Sequence, residues 1–110
     1  MSAPRAPAPS LSSRQKRHLR GLGHDLEPVV QIGQKGVTES VLAQVAQALD
    51  DHELIKLKLG KNCPEDRDAV AARVEGLPSQ VVQAIGRVLL VYREAEDPDD
   101  RRIALPPRGE

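Results

Sequence analysis

Two glycines bracket a short loop, Gly33-Gln34-Lys35-Gly36, which we call the glycine loop. Glycine has no Cβ, so the backbone of such a loop can approach a ligand closely and turn its amide groups toward phosphate. Thr38 suits the N-cap of a following helix, whose positive end would then point to the same place. Lys35 adds a mobile positive charge between the glycines. The loop could therefore bind a polyanion, although Gly-x-x-Gly alone is more often a simple turn.

The glycine spacing disfavours the common nucleotide-binding loops. A P-loop needs the pattern G-x-x-x-x-G-K-[ST], and the dinucleotide fingerprint needs a third glycine, which this loop lacks. A GXXG loop does occur as the backbone clamp of the KH RNA-binding module. Contact with RNA is therefore the chemistry that the glycine loop fits best.

Basic side chains gather in two further stretches of the chain. The segment from Arg14 to Arg20 has four of them and no acid. In Glu53 to Leu59 two lysines alternate with apolar residues, as in a half-buried strand with a basic outer face. A run of charges is usually only a solvated surface, but three basic elements together favour contact with RNA phosphates. The predicted RNA-binding residues are Gly33, Gln34, Lys35, Gly36, Arg14, Lys16, Arg17, Arg20, Lys56 and Lys58.

The formal net charge is zero, with 16 basic and 16 acidic residues, but the charges are unevenly distributed. Residues 94–110 hold six acids against three arginines, which leaves 13 basic and 10 acidic residues in the remainder of the chain. The only aromatic residue, Tyr92, stands at a strand end, where core or edge packing is favoured over base stacking. The expected RNA contact is therefore made with phosphates and weakens steeply with salt.

The residues that could catalyse a reaction or bind a metal form no recognisable motif. His18, His24 and His52 have neither the spacing of metal ligands nor a partner for acid–base chemistry, so structural roles are favoured. Cys63 has no nucleophile motif around it and is interpreted as an ordinary loop thiol. We therefore predict that the protein is not an enzyme and has no catalytic residues, no metal site and no cofactor.

The cysteine content and the distribution of apolar residues indicate where in the cell the protein is found. A single cysteine cannot form an internal disulfide, which is typical of intracellular proteins. The first ten residues are rich in Pro and Ala and lack the apolar run of a signal peptide, and no other run approaches the length of a membrane span. The sequence thus predicts a soluble, cytoplasmic protein with no membrane partner.

Hydrophobic periodicity and turn residues predict three helices and four strands. Helices are expected at residues 13–22, 38–51 and 65–75, and strands at residues 29–32, 53–59, 81–85 and 88–92. The first helix is preceded by Ser12, and Ser12 to Gln15 has the S-x-x-Q form of a capping box. The last two strands, joined by Gly86-Arg87, should form a hairpin. The order α-β-α-β-α-β-β predicts one α/β (α+β) domain with a four-stranded mixed sheet. Its expected limits are residues 12–93, between a disordered Pro/Ala-rich leader, residues 1–11, and an acidic disordered tail, residues 94–110.

Five blocks of sequence recur together, in this order and spacing, in one known family. They are residues 15–20, 24–33, 36–42, 52–58 and 83–93. Over about Leu11 to Arg93 they resemble the CRM domain, the chloroplast RNA splicing and ribosome maturation module, in its single-domain bacterial YhbY-like form. The resemblance implies a fold similar to the C-terminal domain of bacterial translation initiation factor three and a GxxG loop that binds RNA. It also implies association with precursors of the large ribosomal subunit, and hence with 23S rRNA.

The sequence leaves two classes of function open. The first is a monomeric RNA-binding protein that assists assembly of the large ribosomal subunit. The second is a protein-interaction adaptor that uses the acidic tail and an apolar sheet edge, with the glycine loop as a plain turn. The substitution Lys35→Glu distinguishes them, because it should impair only the first.

Overall fold

The computed structural model describes residues 11–106 of the 110-residue chain. The predicted leader, residues 1–11, therefore lies outside the described residues except for Leu11. The backbone N–H of Leu11 donates to Oε1 of Gln80 at 3.2 Å, so this residue contacts the rest of the domain.

Within the described residues the chain forms three α-helices and four β-strands in the predicted order. The helices are α1 (Ser13–Gly23), α2 (Glu39–His52) and α3 (Arg67–Glu75), and the strands are β1 (Pro28–Ile32), β2 (Leu54–Leu59), β3 (Gln80–Ile85) and β4 (Val88–Tyr92). A short 3-10 turn, Pro98–Asp100, follows β4. The predicted α+β fold with a four-stranded mixed sheet is confirmed.

Each helix begins after a side chain that caps its first turn. Ser12 accepts a hydrogen bond from the backbone N–H of Gln15, and the Gln15 side chain accepts one from the N–H of Ser12, which completes the predicted capping box. Thr38 caps α2 through its hydroxyl, as expected. Asp66 caps α3 in the same way, which explains why this helix begins after Asp66 rather than before it.

The sheet has the strand order β1-β2-β4-β3. β1 and β2 are parallel and are connected through α2, whereas β4 pairs antiparallel with both β2 and β3. The β3–β4 hairpin turns at Gly86-Arg87 as predicted, and Gly86 has a φ of +58°, which a residue without a Cβ adopts at low cost. Three turns therefore lie at one end of the strands, where β1, β2 and β3 end: residues 33–36, 60–64 and 86–87. We call this end of the sheet the loop edge.

Apolar side chains pack on both faces of the sheet. α2 and α3 cover one face, and α1 covers a smaller cluster on the other, to which Leu19 of α1 and Leu54 of β2 belong. Burying a side chain such as Leu19 stabilises the fold by roughly 1.5–3 kcal/mol, which holds α1 on the sheet. Leu54 shares its side of β2 with Lys56 and Lys58. The outer face of β2, expected to be open and basic, is thus buried at its first residue and opens only toward the loop edge.

Residues 94–106, expected to be disordered, lie against the same face as α1. The Glu53 carboxylate, 1% exposed, accepts hydrogen bonds of 2.6–3.0 Å from three backbone N–H groups of this segment. Glu53 follows α2 with a left-handed φ of 64°. Ile103 and Leu105 pack against the smaller apolar cluster. The described part of the expected tail thus differs from a solvated acidic segment, because a buried carboxylate and two apolar side chains attach it to the domain.

Candidate nucleic-acid interface

The glycine loop leaves β1 at the loop edge and closes on itself. Gly36 has a φ of +69° and donates its backbone N–H to the carbonyl of Gly33 at 3.0 Å. The N–H of Gly60 donates to the carbonyl of Ile32 at 2.8 Å, which holds the turn after β2 beside the loop. The two central residues of the loop are exposed. Strand β1 therefore presents these residues to solvent at the end of the sheet.

The two glycines of the loop have different roles. A Cβ on Gly36 would lie 2.6 Å from Oε1 of Glu65 and 3.3 Å from Cγ of Pro64, and the positive φ of Gly36 also disfavours a side chain. A Cβ on Gly33 would meet nothing within 4 Å. The turn itself thus requires Gly36, whereas the backbone of another molecule has room to approach at Gly33.

The Glu65 carboxylate occupies part of the space at the start of α2. Its Oε1 accepts the backbone N–H of Val37 at 2.7 Å, and the N–H of Gly36 is used within the turn. The amides nearest the helix are therefore already bonded within the protein. Among residues 11–106, the backbone N–H groups of Gln34 and Lys35 have no such partner. The amide groups that remain for a phosphate are those at the loop tip.

Helix α1 directs its basic side chains away from the sheet. Its buried residues are Gln15, Leu19 and Gly23, whereas its four bases are exposed or half-buried. None of the four forms an ion pair with another described residue, and the first turn of α1 has no acid. Like charges one turn apart on a helix cost about 0.2–0.5 kcal/mol per pair, so an anionic partner would relieve repulsion within α1. These bases are the predicted site residues Arg14, Lys16, Arg17 and Arg20.

Lys56 and Lys58 lie between α1 and the glycine loop. Nζ of Lys56 donates to the carbonyl of His24, directly after α1, at 3.3 Å. Lys58 is exposed and pairs with Gln31 on β1, the strand that leads into the loop. Lys35 is exposed at the loop tip and forms no ion pair with another described residue. Lys56 and Lys58 therefore connect the end of α1 with β1 and the loop edge. The start of α1 lies near Gln80, at the other end of the sheet.

Two further bases, which the sequence patterns did not single out, lie at the loop edge. Lys61 follows β2, Arg87 belongs to the β3–β4 turn, and both are exposed. The backbone N–H of Leu59 donates to the carbonyl of Arg87 at 2.7 Å, so the end of β2 and the hairpin turn are adjacent. Their proximity follows from the antiparallel pairing of β2 with β4, which local sequence patterns do not specify.

The other reactive side chains occupy structural or surface positions. The backbone N–H of His24 donates to the carbonyl of Arg20 at the end of α1, and Sγ of Cys63 donates to the carbonyl of Glu65 at 3.4 Å. Tyr92 is buried, which confirms that it packs in the core. In the described part of the chain, no three His, Cys, Asp or Glu side chains are arranged to hold a metal ion. None of the helices between residues 11 and 106 has the length and apolar character needed to cross a membrane.

Similar proteins extend over most of the chain. The Bacillus subtilis protein named as RNA-binding protein YqeI is 42% identical over 97 residues, which cover 87% of this chain and 99% of that protein. A Haemophilus influenzae protein named RNA-binding protein is 42% identical over 98 residues, which cover 88% of this chain and 96% of that protein.

A solved structure and a family model agree with these relatives. The solution structure of SAV1595 from Staphylococcus aureus, a candidate RNA-binding protein, matches with a TM-score of 0.71 and 35% sequence identity. The match covers 88% of this chain and all of the other. The model of the CRS1 / YhbY (CRM) domain matches residues 11–93, the span that carries the glycine loop and all the basic elements described above. The chain belongs to the CRS1/YhbY (CRM) domain family.

Proposed function

We propose that the protein is an RNA-binding factor that acts in assembly of the large ribosomal subunit, where it contacts 23S rRNA. The contact is made by the glycine loop, the bases of α1, and Lys56 and Lys58. The protein acts by binding alone, as a cytoplasmic monomer. It needs no metal or cofactor for this role, because phosphate contact requires only positive charge and backbone amides.

The observation that carries the proposal is that the positive charges of the glycine loop and of α1 form no ion pair within the described residues. Lys35 and the four bases of α1 lack acidic partners among the described residues, whereas Arg93, at the opposite end of β4, is paired with Asp50 at 2.6 Å. The open space at Gly33 and the unbonded amides at the loop tip add a place for the RNA backbone. The names of the relatives, which describe RNA-binding proteins, support the same function for this chain. The resemblance to the CRM family supports the choice of large-subunit precursors.

Two measurements test this function. Sedimentation of a cell extract through a sucrose gradient should place the full-length protein with precursors of the large subunit. Titration of the protein into 23S rRNA transcript should give an affinity that falls linearly with the logarithm of salt concentration. A protein found only in the free fractions, together with no salt-sensitive binding to the transcript, would disprove the proposal.

The adaptor function predicts different results for the same protein. An adaptor keeps its native interaction in Lys35→Glu and loses it when the acidic segment is altered. Deleting residues 94–110 is a poor test, because it also removes the backbone groups that bond to Glu53. Neutralising the exposed acids Asp99 and Asp100 leaves those bonds in place and is the better variant. Loss of the native interaction in Asp99→Asn/Asp100→Asn, with Lys35→Glu unaffected, would favour the adaptor.

A further inference from the structure

Three turns meet at the loop edge and bring together basic residues that are distant in sequence. A Cβ on Gly60 would lie 3.9 Å from Cα of Gly33, so the turn after β2 touches the glycine loop. On the other side of β2, the backbone N–H of Leu59 donates to the carbonyl of Arg87. Neighbouring strands lie about 4.8 Å apart, so the glycine loop and the hairpin turn are separated by roughly 10 Å. Lys61 belongs to the turn between them.

The bases of the loop edge lack intramolecular partners, whereas its acids are engaged. Lys35, Lys61 and Arg87 are exposed and form no ion pair with another described residue. The acids nearby are each used within the protein: Glu65 on the amide of Val37, Asp66 on the first turn of α3, and Asp68 beside Arg67. The charges at this edge that remain to attract a partner are therefore positive.

The surface between the turn after β2 and the hairpin turn is a shallow depression of about 200 Å³. Lys61, Arg67 and Arg87 contribute to its lining, together with Glu65 and Asp66, whose carboxylates accept backbone N–H groups of the protein. Arg67 donates from Nη1 to the carbonyl of Gly86 at 3.4 Å, which ties α3 to the hairpin turn. Ile85, beside this turn, is 63% exposed and is the most exposed of the large hydrophobic residues described. Three cations, two carboxylates already bonded to backbone amides and an adjacent apolar side chain fit a phosphate together with the sugar or base attached to it.

We propose that Lys61 and Arg87 bind RNA phosphates, so that the RNA backbone continues from the glycine loop across the end of the sheet to the β3–β4 hairpin. This inference rests on the proposed RNA-binding function and adds to it a second contact element, on the other side of β2 from the glycine loop. Because phosphate contacts fix the position of an RNA without reading its sequence, the hairpin sets the direction in which the RNA leaves the loop.

The test compares two double variants of the full-length protein in titrations of 23S rRNA transcript at several salt concentrations. Lys61→Ala/Arg87→Ala removes both proposed contacts, and both side chains are exposed, so the fold should not change. Arg101→Ala/Arg102→Ala removes the same formal charge from exposed positions in the segment after β4, where it also breaks the ion pair of Arg101 with Glu94 at 3.2 Å, and serves as the control. Thermal unfolding of both variants checks that each is folded.

Each lost phosphate contact should make the slope of log affinity against log salt shallower by about 0.7–0.9. We expect Lys61→Ala/Arg87→Ala to bind more weakly than the wild type, with a slope shallower by about 1.4–1.8, and the control to bind like the wild type. Wild-type affinity and slope in Lys61→Ala/Arg87→Ala, with weakened binding in Lys35→Ala, would overturn the inference and leave the proposed function standing. Equal losses in both double variants would also overturn it, because they would reflect net charge alone. Absence of salt-sensitive binding by the wild type would overturn both proposals.

Discussion

Glycine can serve a loop in two ways, by leaving room for a ligand and by adopting a positive φ in a turn. Gly33 and Gly36 each meet one of these requirements. Gly36 adopts a φ of +69° and faces the Glu65 carboxylate, which in turn bonds to the amide of Val37. Gly33 faces open space. The first glycine is therefore free to serve a ligand, and the second serves the fold.

Alanine substitutions at the two glycines should consequently affect different properties, stability at Gly36 and RNA binding at Gly33. Gly36→Ala should lower the free energy of unfolding by at least about 1–2 kcal/mol, because a side chain at positive φ is strained and this Cβ would clash with Glu65. Gly33→Ala should leave stability within about 0.5 kcal/mol of the wild type but weaken RNA binding. Urea unfolding and rRNA titration measure the two effects. Wild-type affinity in Gly33→Ala would show that RNA does not approach the backbone there.

Tyr92 is a second residue whose environment leads to a prediction. Burial raises the pKa of its phenol above the ordinary value of 10.0, and Glu53 and Glu94 raise it further while Arg101 opposes them. Its hydroxyl is buried and has no hydrogen-bond partner within the described residues. The neutral form is therefore favoured in the folded protein. The stability that the neutral phenol contributes is fully present below pH 10. As the pH rises above 10, the tyrosine of the unfolded chain ionises first, and the free energy of unfolding falls.

Tyr92→Phe should remove this pH dependence. Above pH 10 the free energy of unfolding of the wild type should fall relative to Tyr92→Phe by about 1.4 kcal/mol per pH unit. At neutral pH the variant should be as stable as the wild type or more stable, because an unpaired buried hydroxyl contributes nothing favourable. Because Tyr92 is the only tyrosine, tyrosinate absorbance reports its ionisation directly. Parallel stability curves for the two proteins above pH 10 would contradict this account.

In helix α1 the charge that favours RNA binding is opposite to the charge that stabilises the first turn. Its first turn contains Arg14 and no acid, although the positive end of a helix favours negative charge. Arg14→Glu should therefore raise the free energy of unfolding by about 0.3–1 kcal/mol and weaken rRNA binding. A loss of affinity in a protein that has become more stable cannot be attributed to unfolding. Unchanged affinity would remove this end of α1 from the interface.

The segment after β4 depends on one buried carboxylate. Both carboxylate oxygens of Glu53 accept backbone N–H groups, and Glu53→Gln replaces one of them by an NH₂ group and removes the negative charge. The substitution should lower the free energy of unfolding by roughly 1–3 kcal/mol. Hydrogen exchange should accelerate at the amides of Ala95, Arg102 and Ile103. Glu27→Gln, at an exposed position before β1, is the matched control. Unchanged exchange at those three amides would show that the carboxylate does not hold the segment.

Local sequence predicted the elements and the turns that form part of the candidate site, because caps, turns and apolar periodicity act over a few residues. Ser12, Thr38 and the Gly86-Arg87 turn are found where these signals placed them. The contact of Glu65 with the amide of Val37 joins residues 28 positions apart, and no local pattern encodes it. The same limit applies to Glu53, since a carboxylate between α2 and β2 gives no sign of bonding to a segment more than 40 residues later.

At the scale of the whole molecule the charges are separated along α2. The glycine loop lies before its first turn, and acids gather around an open depression of about 940 Å³ beyond its last turn. Seven acids line this depression against three arginines: Asp50, Asp51, Glu94, Glu96, Asp97, Asp99 and Asp100 against Arg93, Arg101 and Arg102. An α-helix of 14 residues is about 21 Å long, so the two ends are well separated. A polyanion would therefore be attracted to the loop edge and repelled from the opposite end, which orients the protein before contact.

Binding of RNA by the glycine loop can be tested through the salt dependence of 23S rRNA binding by Lys35→Ala. Arg102→Ala, which removes an exposed base at the acidic end, is the matched control. We expect Lys35→Ala to bind more weakly than the wild type, with a slope of log affinity against log salt shallower by about 0.7–0.9, and Arg102→Ala to match the wild type. Identical affinities and slopes for Lys35→Ala and the wild type at every salt concentration would contradict the account.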